Sequence, residues 1–313
     1  MWSRWFPRAP GPVLDHVRCG MGRGMVGPRL SKPARPIAWW QWPTVLSLDA
    51  PLVVVGWQAV LAHVARVRLG WPHAFVLAAS VWLAYAADRW IEGWRLEPED
   101  IRTARHAYYQ RGRWPIFMLW LAVLTAGLLV ALTQLSWTEF EAGWLIVPPV
   151  LVYLLSHQLV HRDHPWRAPK EVCIALLLGA GVALFPLAQP GAYHRHLWPT
   201  LLLFVLLCFA NCALISLWER EVDRSHGQTS LALQGASAGW IHVVPWIVAG
   251  LALIFGSVEA GNARTAAACA AGSALLLATV DLLHPRLGTR LARVLADVAL
   301  LTPLVAIAAR VLQ

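Results

Sequence analysis

Residues Asn211–Ala232 read NCALISLWEREVDRSHGQTSLA. The stretch leaves an apolar run, LWPTLLLFVLLCFANCALISLW over 197–218, and sets Glu219, Glu221 and Asp223 where that run meets water. Glu219 and Asp223 are four apart, so on a continuing helix both carboxylates share a face and stand close enough to share a ligand. Two like charges at that spacing repel unless a cation joins them. Gly227 offers a helix stop, and Thr229 or Ser230 can cap what begins at Leu231.

Around this stretch the composition is that of a membrane protein. Of 313 residues, 58% are hydrophobic and 14% charged, which excludes an ordinary soluble domain and points to an all-α, polytopic bundle of spans. The net charge of +9 suggests nucleic acid in a soluble protein. Here the arginines cluster between apolar runs, so the charge is read as loop topology and no nucleic-acid partner is expected. Five cysteines with no CxxC pair give neither a disulfide framework nor a zinc signature. Residues 1–45, rich in Arg, Pro and Gly, read as a disordered basic lead-in without a signal peptide's apolar core, with Met21 or Met25 as alternative starts. The transmembrane domain is expected over 46–313.

Apolar runs of about 20 residues, the length that crosses a bilayer, fall near 47–65, 72–91, 114–134, 142–161, 171–189, 197–218, 238–257, 264–283 and 293–311. About nine spans are therefore expected, with Pro148, Pro149, Pro186, Pro245 and Pro303 kinking their helices. Twenty-one of the 26 Lys and Arg then lie on one side, and only Arg66, Arg68, Arg195, Arg264 and Arg310 on the other. The bias makes the N-terminus and both acidic stretches cytoplasmic.

The second acidic stretch closes span two, in LAYAADRWIEGWRLEPED. Asp88 and Glu92 repeat the four-residue spacing at the same depth, which suggests an architectural repeat. Four carboxylates on one cavity are hard oxygen ligands for Mg2+, and a metal-bridged diphosphate is a good leaving group because its developing charge is neutralised. Arg89, Arg102, Arg105, Lys170, Arg220 and Arg224 would complete a pocket for a polyanion, above apolar spans that house a hydrocarbon tail. The Arg102–Arg113 segment reads equally as a positive-inside loop. His157, His161 and His164 have metal-compatible spacing but lack the further clusters a di-iron enzyme needs. Asp281 and Asp297, at span ends, are expected to cap or pair, and the 19 tryptophans to anchor at the interface.

EREVDRSHGQTSLA is similar to the second signature of the UbiA superfamily of intramembrane prenyltransferases. Glu219, Asp223, Gly227, Ser230, Leu231 and Ala232 occupy its places. The first signature, an Asn followed at intervals of four by two Asp, falls on Ala84, Asp88 and Glu92. Lys170 stands where the family has a basic residue. The resemblance covers roughly residues 45–311. It implies a Mg2+-dependent enzyme of a bacterial-type inner membrane that moves a prenyl group from a prenyl diphosphate to an aromatic or other lipid-pathway acceptor. Asp88, Glu92, Glu219 and Asp223 would be catalytic and metal-binding, and Arg89, Arg105, Lys170, Asn211, Arg220 and Arg224 would bind substrate. Ala84 supplies no amide, and Glu at 92 and 219 adds a methylene. These departures keep open the alternative of a non-catalytic UbiA-like membrane protein that binds a polyprenyl lipid or a partner. A transporter is disfavoured by the scarcity of acid within the spans.

Overall fold

The structure, a computed structural model, describes residues 37–95, 104–156, 169–225, 230–234 and 238–311. Among the described residues every regular element is helical. A turn of 3-10 helix at Trp39–Gln41 leads into α1 (Trp42–Val45), so the last residues given to the lead-in are helical. There follow α2 (Asp49–Val64), α3 (Trp71–Arg95), α4 (Ala104–Arg111), α5 (Arg113–Gln134) and α6 (Trp137–Leu155). After these come α7 (Lys170–Ala188), α8 (Leu197–Trp218), α9 (Arg220–Ser225), α10 (Leu231–Gln234), α11 (Val244–Val258), α12 (Gly261–Ala299) and α13 (Thr302–Val311).

Seven of these segments are long and apolar enough to cross a membrane, and an eighth arises if Trp39–Val45 and Asp49–Val64, bent by 74°, form one broken span. The expected runs at 264–283 and 293–311 fall on α12, which is broken at Gly288 (φ 74°, ψ 157°), and on α13. The expected kinks are fewer. Pro148, Pro149 and Pro186 lie inside helices, whereas Pro245 stands in the first turn of α11 and Pro303 is the second residue of α13. There a missing N–H costs no intrahelical bond.

The helices are apolar outside as well as inside. Leu119, Leu129, Leu132, Leu145 and Val152 are all more than half exposed, a surface that only a lipid solvent tolerates. The chain is an integral membrane protein. Inside, α12, α8 and α2 supply most of the core, and the buried face of α12 is largely alanine: Ala263, Ala266, Ala267, Ala270, Ala271 and Ala274. Small side chains let helix backbones approach closely where lipid removes the hydrophobic drive. Gly179 of α7 does the same against Val205 of α8. Trp57, fully buried rather than interfacial, donates its indole N–H to Leu300 O at 3.0 Å and packs 5.1 Å from Phe204.

One end of the bundle is sewn by short polar links. His73 Nε2 meets Glu139 Oε1 at 2.7 Å, Gln189 donates to the same carboxylate, and Ser136 and Glu139 close a capping box at the start of α6. Tyr193 N donates to Ala65 O at 2.9 Å, and His196 lies 2.9 Å from Glu259. The other end holds the acids singled out by the sequence.

Candidate functional site: an apolar chamber with a charged mouth

Three helices, α3, α6 and α7, line a partly open chamber. Leu77, Val81, Ala84 and Tyr85 of α3 form one wall, Val150 and Tyr153 of α6 a second, and Leu178 and Gly181 of α7 a third. Asp88 and Arg89 are the charged residues on its lining. They lie there because α3 continues one to two turns past its apolar body, carrying Asp88, Arg89 and Glu92 at i, i+1 and i+4. Helix α4 folds back on that end through Gly93, where a Cβ would stand 3.4 Å from the Gln110 backbone N. Tyr109 of α4, 2% exposed, shares a hydrogen bond of 3.2 Å with Ser47. Burial raises the Tyr109 phenol above its ordinary value of 10.0.

Helices α7 and α8 bring the rest. Lys170, the first residue of α7, donates to both oxygens of Asp223, at 3.1 and 3.2 Å. Its neighbour Glu171, 1% exposed, accepts the Leu231 backbone N–H at 3.1 Å. Glu219 ends α8 with non-helical ψ, yet Asp223 N still donates to Glu219 O at 2.9 Å. Each of the two carboxylates meets a cation: Arg293 of α12 binds Glu219, and Lys170 binds Asp223.

The Arg89 guanidinium lies within electrostatic range of Glu92, Asp88, Glu219 and Asp49, which puts both acidic motifs at the same end of the bundle. Asn211, in the body of α8, donates its amide N–H2 to Asp297 Oδ1 at 3.0 Å. Arg220 and Arg224 are exposed on α9. Arg105 is carried by α4, with its side chain outside the described residues; Arg102, Gly227, Thr229, His157, His161 and His164 lie wholly outside them. Asp281 accepts from Trp218 Nε1 at 3.1 Å and lies 2.6 Å from His242 Nδ1, so it pairs as expected. Arg293 was not singled out from the sequence. Its distance from Glu219 in the chain, 74 residues, hides the pair.

These residues do not make a ready Mg2+ site as they stand. Among the described residues no three His, Cys, Asp or Glu side chains gather where one ion could hold them. Asp223 and Glu219 are each paired with a cation of the chain, Lys170 and Arg293.

No protein-family model matches the chain, and no curated protein matches it in sequence. Among solved structures, the apo structure of a UbiA homolog from Aeropyrum pernix K1 superposes with a TM-score of 0.52, over 84% of this chain and 98% of that one, at 17% identity. The chain has the UbiA fold. The UbiA fold is the one the acidic motifs implied, and in this UbiA-like bundle both motifs lie at the same end. Ala84 lines the chamber one turn before Asp88, so the position where the first signature has an amide is apolar here.

Proposed function

We propose that the chain is an intramembrane prenyltransferase, moving a prenyl group from a prenyl diphosphate to an aromatic or other lipid-pathway acceptor. One observation carries the reading: a chamber walled by apolar side chains ends at Asp88 and Arg89, with Glu92 and Glu219 of the two acidic motifs in electrostatic range of that arginine. An amphiphile with a long apolar tail and a polyanionic head has that polarity. Arg89 would meet the head, since a guanidinium offers a forked donor set to phosphate oxygens. The arginine bias supports a cytoplasmic mouth in a bacterial-type inner membrane. Magnesium dependence, expected from the sequence, is not carried by the paired acids, and the reading stands without it.

The test is pyrophosphate release from a radiolabelled prenyl diphosphate by the purified protein, offered a panel of aromatic and lipid acceptors, with Mg2+ and with chelator. Release is expected, and Asp223→Ala and Arg89→Met should each abolish it. A folded sample that releases nothing across the panel would reject transfer.

The pairing of Asp223 with Lys170 and of Glu219 with Arg293, and the apolar Ala84, favour a second reading, a non-catalytic UbiA-like protein that holds a polyprenyl lipid or a partner. It predicts lipid binding that is indifferent to chelator, without release.

A further inference from the structure

The chamber has a deep end as well as a mouth. On α3 its lining starts at Leu77 and runs to Asp88 and Arg89, so its long axis follows that helix. Leu77 is only 5% exposed, because it leans across to α7. A Cβ on Gly181 would stand 3.2 Å from Leu77 Cδ1, so the leucine rests on bare backbone there. One turn below, His73 of α3 and Phe185 of α7 pack edge to face with ring centroids 5.1 Å apart. His73 Nε2 also meets Glu139 Oε1 of α6 at 2.7 Å, and Gln189, the residue that follows α7, donates to the same carboxylate. The three helices that line the chamber are thus tied to one another directly beneath it.

These links make a stiff floor. Leu77 is pressed against the α7 backbone, and Phe185 and Glu139 below it are both buried. A chain end that pushed them aside would strip Glu139 of hydrogen bonds that lipid cannot replace. The head end is fixed too, since Asp88 and Arg89 are the charged residues of the lining. From Leu77 to Asp88 the helix rises about 16 Å, at about 1.5 Å per residue. An extended isoprenoid advances about 5 Å per unit, over four zigzag carbon–carbon bonds of about 1.5 Å. Three units, about 15 Å, reach from mouth to floor, and four, about 20 Å, overrun it.

We infer that Leu77, seated on Gly181, is the stop against which the end of the prenyl tail rests, and that it selects a tail of three isoprene units. The inference rests on the chamber being the substrate space proposed above, and it names the length class of the donor. Leu77 acts by shape alone: it touches the last unit of the tail and none of the reacting atoms.

The experiment uses the full chain in lipid nanodiscs and unreactive prenyl thiolodiphosphates of two, three and four units. Affinity is expressed per mole fraction in the lipid, so that partition into the bilayer cancels. The three-unit analogue should bind about tenfold more tightly than the four-unit one, as expected where a packed space is overfilled. It should also bind more tightly than the two-unit one, which leaves the deep end empty. Leu77→Ala should bring the four-unit analogue level with the three-unit one, and Gly181→Leu, whose side chain fills the deep end, should move the preference to two units. A role for Leu77 in folding alone would weaken all three lengths by the same factor and overturn the assignment. Wild-type protein that binds three and four units equally overturns it as well, since the tail then leaves sideways into lipid, and this comparison needs no variant to fold. Binding of none of the three is equally fatal. Nothing is transferred in the measurement, so a failed release assay leaves a length preference standing, while pyrophosphate release without that preference removes this inference alone.

Discussion

Lys170 Nζ lies 3.1 and 3.2 Å from the two carboxylate oxygens of Asp223, fastening the first residue of α7 to the turn that follows α8. The Asp223 side chain is 7% exposed and that of Lys170 23%, so the pair is largely withdrawn from water. Lys170→Met strips a buried carboxylate of its cation and should cost about 3 kcal/mol. Lys170→Met with Asp223→Leu should recover most of it, because the burial cost of both charges disappears. Thermal unfolding of the detergent-purified protein measures both; a single variant as stable as wild type would mean that water reaches the acid.

Gly288 is the joint that turns the end of α12 back toward α8. Its φ of 74° with ψ of 157° belongs to a region that only glycine occupies readily. Gly288→Ala should therefore lose about 1–3 kcal/mol, although a Cβ there would meet no atom within 4 Å. The loss should come with weakened Glu219–Arg293 coupling, read as a double-mutant cycle of Glu219→Gln and Arg293→Met in each background.

Gly179 lets α7 approach α8 at Val205, where any Cβ would collide. Gly179→Leu should destabilise by about 1–3 kcal/mol or more through overpacking. Gly143→Ala, with nothing within 4 Å of the new Cβ, should stay within about 0.5 kcal/mol of wild type. Equal melting temperatures for the two variants would contradict the packing described.

Tyr109 lies outside the crossing segments and carries a raised phenol. Between the unfolded value near 10.0 and the higher folded one, the folded chain binds the extra proton, so stability is full below pH 10 and falls as pH rises above it. Tyr109→Phe should reduce the steepness of that alkaline loss by up to one proton, while costing about 1 kcal/mol at neutral pH for the Ser47 hydrogen bond. Unfolding at several pH values between 9 and 11 separates the two effects.

Much of the fold was legible before any coordinates. The apolar runs at 114–134, 171–189 and 197–218 coincide with α5, α7 and α8 to within a residue or two, because span length and hydropathy are properties of a local stretch. Proline was read less well: Pro245 and Pro303 appear mid-run in the sequence, yet each stands in a helix's first turn, a boundary set by neighbouring packing. The tryptophans were read as interfacial anchors, and Trp57 is in the core. Asp297 was placed at a span end and expected to pair, which it does.

The sequence by itself settled that this chain lives in lipid, that it is helical, and that acids stand in pairs at the ends of two spans. Those are matters of composition and of a spacing of four, which any helix converts into one face. Only the tertiary structure decided which charge neutralises which. Asp223 is 53 residues from Lys170, and Glu219 is 74 from Arg293. Partners that far apart in the chain are chosen by how helices pack, and the same packing gives α3, α6 and α7 a hollow between them while setting Asn211 against Asp297.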